Sequence, residues 1–194
     1  VVQAARLYAR SGFPGASVSD LAEACGLSKS AIYHYYTAKE DILFDVMHAH
    51  VRALDLAARA AIACSDDPKQ QLRALARSFM RLYVGAAARH KVLLNDLQHL
   101  PALRRAEIVS VQRGLIVMVE RSLGAIEPEL SRPGVARAAA MLFFGMINWT
   151  HTWFDPEGAV SAEALADMAV DVTLGGLARA AGSPAIAFAL GEPS

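Results

Sequence analysis

Apolar residues recur at three- and four-residue steps along almost the whole chain, and runs that alternate apolar with polar are missing. That period predicts helices and no strands, about nine of them once glycine, proline and hydroxyl-bearing breaks are marked. The first is expected over residues 2–11, stopped by Gly12, with Phe13 packing back on its last turn. Ser17-Val-Ser-Asp20 has the hydroxyl and the carboxylate of a capping box and opens a second helix, which Gly26 ends. Ser28 caps a third over 29–35. Thr37-Ala-Lys-Glu40 reads as another capping box, ahead of a long fourth helix to residue 63 whose Ile42, Leu43, Val46, His50 and Leu54 share one face. Further helices are expected over 68–87, 90–97, 101–123, 134–154 and 161–180. Leu115-Ile-Val-Met-Val119 is apolar all round, which predicts burial around the whole circumference. A loop is expected at 127–133 and a loosely held tail at 183–194.

The second and third helices, joined by Gly26 and Leu27, have the spacing of a helix-turn-helix. Phe13, Leu21, Ala22, Leu27, Ile32, Tyr36 and Leu43 supply a small core for it. Lys29, Ser30, Ala31, Tyr33, His34 and Tyr35 are left on the outer face of the third helix. Aromatic side chains at consecutive positions of a short helix point around most of its circumference and cannot all be buried. Small polar residues at a helix start, followed by hydroxyl and imidazole groups, suit the approach to a phosphate backbone and to base edges. The chain is therefore expected to be all-α, with a DNA-binding domain at 1–46 and a larger helical domain at 47–182. The boundary falls inside the long fourth helix.

Composition sharpens this only in part. The chain has 194 residues, of which 54% are hydrophobic and 20% charged, an apolar excess that points to a subunit interface or an apolar cavity. Lys and Arg equal Asp and Glu, so no global basic charge announces nucleic acid. Within residues 1–46, Arg6, Arg10, Lys29 and Lys39 stand against Asp20, Glu23, Glu40, Asp41 and Asp45; local groups and helix N-termini must do the binding. Cys25 and Cys64 form no disulfide framework or metal-type spacing. His48 and His50 lie on different faces of one helix, wrong for a shared metal. No secretory signal or apolar run long enough to span a membrane is seen, and a cytoplasmic protein is expected. There is no nucleophile elbow, phosphate-binding glycine loop or metal motif, so no catalysis is expected.

The segment GFPGASVSDLAEACGLSKSAIYHYYTAKEDIL closely resembles the N-terminal domain of the TetR family of bacterial transcription regulators. Such proteins commonly read Ser-Lys-Gly-(Thr/Ser)-(Leu/Ile)-Tyr-Tyr-His-Phe in the third helix, with Lys-Glu a few residues on. Here Ser28, Lys29, Ser30, Ala31, Ile32, Tyr33, His34, Tyr35 and Tyr36 are followed by Lys39 and Glu40. The resemblance implies phosphate contacts at Tyr33, Lys39 and Ser17, and groove-facing positions at Ser30, His34 and Tyr35. Histidine and tyrosine stand in reversed order, so operator sequence does not carry over. Many such proteins have a basic arm ahead of the first helix; here residue 1 already falls at that helix's start.

The resemblance also implies a homodimer on a palindromic double-stranded operator, with one effector pocket per subunit. The last two helices would make the interface. Leu142, Met146, Trp149 and Trp153 form one apolar stripe there, and Leu165, Met168 or Ala169, Val172 and Leu177 another. Phe79, Tyr83, Leu94, Leu115, Met118, Phe143 and Phe144 are the candidate apolar lining of the pocket. Asn95, His99, Gln112, Arg113, Asn148 and His151 are its candidate polar groups. LLNDLQHLPALRRAEI and GMINWTHTWFDPEG are similar to stretches in TetR-type regulators of fatty-acid, phenylacetate or steroid-ring catabolism, which respond to acyl-CoA thioesters. That implies an acyl chain in the cavity, with phosphates near Arg73, Arg77, Arg81, Arg104, Arg105 or Arg113. No cofactor is expected besides this small hydrophobic effector. An efflux-pump regulator answering to apolar drugs or free acids is the alternative.

Overall fold

Ser17 shows how the sequence sets the local structure. Its Oγ accepts the Asp20 N–H at 3.2 Å, while Asp20 Oδ2 accepts the Ser17 N–H at 2.8 Å. Both donors would otherwise be orphaned at the start of a helix. In this computed structural model, which describes residues 1–128 and 134–181 (side chains through 176), nine α-helices and no strand occur among the described residues. They are α1 Val2–Gly15, α2 Val18–Cys25, α3 Lys29–Tyr35, α4 Lys39–Ala63, α5 Pro68–Gly85, α6 Ala87–Asn95, α7 Ala102–Ile126, α8 Val135–Trp149 and α9 Ala162–Ala181. Most of the loop expected at 127–133, the whole of the tail at 183–194 and the side chain of Leu177 lie outside the described residues.

Two compact units divide the chain. The first holds residues 1–55 and 82–113; the second holds 56–81 and 114 onward. Residues 82–113, from the expected larger domain at 47–182, pack with the N-terminal helices in the first unit. The core of the first unit joins Tyr8 and Phe13 of α1, Leu21 of α2, Ile32 of α3 and Leu43 and Met47 of α4 to Val92, Leu93 and Ile108. In the second unit Leu72, Leu75, Phe79 and Met80 of α5, Leu123 of α7, Phe143 and Ile147 of α8 and Ala166 and Val170 of α9 are buried. Three arginines at four-residue steps on α5 meet three acids at the same step on α9. Arg73 bonds Asp171 at 2.6 Å, Arg77 bonds Asp167 through two nitrogens at 2.6 and 2.7 Å, and Arg81 lies 3.9 Å from Glu163.

Several local expectations need correction. The helix of α1 breaks at Gly12, where φ is 71° and ψ is 155°, so the glycine stop is real although the element resumes to Gly15. The cap of α4 sits one residue later than Thr37: Asp41 Oδ2 accepts the Ala38 N–H at 2.9 Å. Glu40, the acid of the expected capping box, is thus replaced by its neighbour. Leu27 is 48% exposed, not core. Its N–H bonds the Ala22 carbonyl at 2.8 Å, closing α2 over the left-handed Gly26. Tyr36 is only half-buried, its hydroxyl donating to Asp45 at 2.9 Å. Within 115–119 only Leu115 and Val119 are buried, and the residues between are half-buried. The eighth helix ends at Trp149 and passes into a 3-10 turn over Thr150–Thr152.

Candidate nucleic-acid interface and effector elements

The left-handed Gly26, at φ 65°, turns the chain between α2 and α3. Ser28 Oγ then accepts the Ala31 N–H at 3.1 Å and starts α3. Ile32 alone of α3 is fully buried. Ala31 beside it is half-buried, and the other positions face outward: Lys29, Ser30 and His34 are exposed, Tyr33 is 55% exposed and Tyr35 is 76% exposed. The His34 and Tyr35 rings stand edge to face, 5.1 Å apart. The two phenols leave their hydroxyls free to reach a partner that meets this face.

The other expected contacts are held from within. The Ser17 and Ser28 hydroxyls serve as caps. Ser17 N–H and O–H together hold the Asp20 carboxyl below the usual carboxylate range. Lys39 is the clearest departure. Its ammonium donates to the carbonyls of Phe13 and Ala16 at 2.8 and 2.9 Å and sits 4.1 Å from the centre of the Phe13 ring. This ammonium faces the carbonyl end of α1, where partial negative charge collects.

The expected effector residues fall in both units. Tyr83, Asn95, His99, Gln112 and Arg113 belong to the first, and Phe79, Met118, Phe144 and Asn148 to the second. In the second unit Phe79 and Phe144 stack with centroids 6.0 Å apart, and Phe143 meets Phe144 edge to face. Met118 and Asn148 are half-buried. In the first unit Asn95 and Arg113 are exposed and Gln112 is half-buried. His99 stacks on Phe13 at 5.4 Å. Of the arginines considered for phosphates, Arg73, Arg77 and Arg81 are engaged in the ladder to α9, and Arg104 bonds Asp41 at 2.9 Å and covers the Phe44 ring. Arg105 and Arg113 are exposed.

Sequence reasoning missed a buried polar cluster in the first unit. His50 Nε2 lies 3.2 Å from His90 Nδ1, and the Tyr83 ring stacks on His90 at 3.7 Å. Burial, with Arg89 nearby, pushes the His50 imidazole down to about 4. Burial also pushes the Tyr83 hydroxyl up. The available signal was the place of His50 in the apolar stripe of α4; nothing in the spacing singles out His90, 40 residues on.

In the second unit α8 and α9 bound an open apolar groove of about 570 Å³, lined by Leu142, Trp149, Trp153, Leu165, Met168 and Val172 among others. Trp149 is 65% exposed and Leu142 71%, and Trp153, Met168 and Val172 are also exposed. Leu165 is half-buried. Leu142, Met146, Trp149, Trp153, Leu165, Met168 and Val172, all expected at a subunit interface, therefore border one surface of a kind that monomeric proteins seldom leave bare. No helix among the described residues is long and apolar enough to cross a membrane.

A family model described as bacterial regulatory proteins of the tetR family matches residues 1–46, and one for the C-terminal domain of tetracyclin repressor-like proteins matches residues 65–177. A TetR-family transcriptional regulator from Bordetella parapertussis 12822 is 38% identical, with a TM-score of 0.85 over 89% of this chain and 90% of its own. The structure of AibR in complex with isovaleryl coenzyme A and operator DNA is 27% identical, with a TM-score of 0.77 over 88% of this chain and 93% of that one. Among curated proteins, the HTH-type transcriptional repressor KstR2 of Rhodococcus jostii (strain RHA1) is 23% identical over 90% of this chain and 87% of its own length.

Proposed function

The chain belongs to the TetR family of bacterial transcriptional regulators, and from that premise we propose that it is a cytoplasmic repressor that binds a palindromic operator as a dimer. A small hydrophobic effector, an acyl-CoA thioester, releases it. The observation that carries the DNA-binding part is α3 held by Ile32 alone, with Lys29, Ser30, Tyr33, His34 and Tyr35 all turned to solvent. Tyr33 and Lys29 meet phosphates, and Ser30, His34 and Tyr35 face the groove. Ser17 and Ser28 act as caps that fix the amino ends of α2 and α3, where backbone N–H groups can donate to a phosphate. Lys39 acts through the placement of α4, since its ammonium is already occupied. Two-fold pairing through α8 and α9 makes the operator an inverted repeat.

The acyl-CoA assignment is supported by the likeness to AibR, whose structure holds isovaleryl coenzyme A. An apolar cavity with a few polar groups fits such a ligand. Within the second unit the stacked Phe79 and Phe144, with Met118, would meet its acyl part, and Asn148 would supply a polar contact. The effector acts only by binding the DNA-free conformation more tightly than the DNA-bound one.

A mobility-shift titration tests this. Isovaleryl-CoA and longer acyl-CoAs are expected to release the operator where the matching free acids do not; release by free acids and by no thioester would overturn the assignment. In the same assay Tyr33→Ala is expected to weaken all DNA binding by roughly five- to tenfold, the weight of one phosphate contact. His34→Ala is expected to change which bases are preferred.

A further inference from the structure

Phe13 links α1 to the start of the helix-turn-helix, and three separate elements hold it. Gly12 takes a backbone conformation, φ 71° and ψ 155°, that releases the following N–H from the helix. That N–H does not go to water. It donates to Asp96 Oδ1 at 3.2 Å, across 83 residues of sequence, from the carboxyl end of α6. The Phe13 carbonyl accepts from Lys39 at the start of α4. The Phe13 ring is 5% exposed and packs against Tyr8 edge to face and against His99 in a stack, both at 5.4 Å. Every one of these residues lies in the first unit.

Asp96 is an unexpected residue for its place. It is 6% exposed and forms the C-cap of α6, where the carbonyl ends already carry partial negative charge. His99 Nε2 lies 3.9 Å away, beyond a direct hydrogen bond. The short bond to Asp96 Oδ1 is the one from Phe13. A buried carboxylate at the unfavourable end of a helix is kept where its acceptor atoms are needed.

We propose that Asp96 is a positioning residue for DNA binding: by accepting the Phe13 N–H it ties the end of α6 to the entry of the helix-turn-helix and so sets where α2 and α3 stand. Pulling the 96–99 turn away releases Phe13 from one side while Lys39 still holds it from α4. The inference rests on the DNA-binding reading, and its test separates the two.

The experiment compares full-length wild type, Asp96→Ala and Asp96→Asn. Amide exchange is followed by mass spectrometry without DNA, and binding is measured on a fragment enriched by wild type from random duplexes. Asp96→Ala is expected to speed exchange of peptides covering 13–35 by roughly tenfold, the weight of one buried hydrogen bond, with α5 and α8 unchanged, and to weaken DNA binding by a similar factor. Asp96→Asn keeps an acceptor oxygen and is expected to stay within about threefold of wild type in both readouts. Unchanged exchange over 13–35 in Asp96→Ala overturns the proposal. So does an Asp96→Asn protein as loose as Asp96→Ala, since charge rather than the acceptor would then be what matters. If Asp96→Ala loosens the whole chain, Asp96→Asn decides by the same criterion. Failure of wild type to enrich any duplex counts against the DNA-binding reading and leaves the exchange comparison to judge Asp96.

Discussion

Trp149→Glu is expected to turn a dimer into a monomer with unchanged helix content. Trp149 is 65% exposed at the mouth of the α8–α9 groove, beside Leu142, Trp153, Met168 and Val172. A two-fold interface uses the same patch on both copies, so one substitution places two carboxylates in it. Loss of a central aromatic anchor typically costs 2 kcal/mol or more, and burying an unpaired charge adds several more. Taken twice, this weakens association by roughly a thousandfold or more. Because Trp149 makes little of the monomer's own core, folding is spared. Sedimentation at micromolar concentration is the direct check, and operator affinity is expected to fall by at least about a hundredfold, since one half-site must then hold the DNA alone. A Trp149→Glu protein that sediments as a dimer would place the interface elsewhere.

Acid is expected to destabilise the protein well before its carboxylates protonate. The His50 imidazole is pushed from 6.5 down to about 4. A histidine depressed in the folded state is neutral there, while the unfolded chain takes up its proton near pH 6.5. The unfolded state is therefore favoured progressively as pH falls from 6.5 towards 4, and the penalty is absent above about pH 7.5. The shift corresponds to on the order of 3 kcal/mol once the window is crossed. Asp20 and Asp167 are held below the usual carboxylate range. Their stabilising contribution is present above the unfolded value of 3.8 and is lost as pH falls below it through the lower folded value, outside the histidine's window. Denaturant midpoints at pH 7.5, 6, 5 and 4.5, at one protein concentration, measure the slope. His50→Gln is expected to lower stability at pH 7.5, because the imidazole packed against His90 and Tyr83 is lost, and to flatten the slope between 6.5 and 4.5. A variant as pH-dependent as wild type would assign the acid sensitivity to other groups.

The helix-turn-helix was legible because its determinants are local. Ser17 with Asp20, Gly26 with Leu27, and Ser28 each act within a few residues, and the outward aromatics follow from helical geometry around the single inward Ile32. The apolar face of α8 and α9 was legible for the same reason: an exposed stripe is a property of one helix at a time. What stayed hidden depends on which elements are neighbours. Arg73 and Arg77 meet their acids on α9 across 98 and 90 residues of sequence, and Arg81 faces Glu163, so those arginines read as candidates for an effector's phosphates. The bonds from Lys39 to the carbonyls of Phe13 and Ala16, 26 and 23 residues away, stayed hidden because nothing local places those carbonyls within its reach. The bond from Phe13 to Asp96 and the meeting of His50 with His90 require α6 to fold back on the N-terminal helices. That packing also brings residues 82–113 into the same unit as the N-terminal helices. Leu115–Val119 misled differently: apolar on all sides, it was expected to be buried all round, yet its middle residues stay half-exposed in a single chain.

Selection of duplex DNA from a random pool by the full-length protein tests the central claim most directly. An enriched inverted repeat, bound by two chains per duplex and lost with Trp149→Glu, is the result the structure predicts. No enrichment above that of an unrelated protein, or a single asymmetric site bound by one chain, would contradict it.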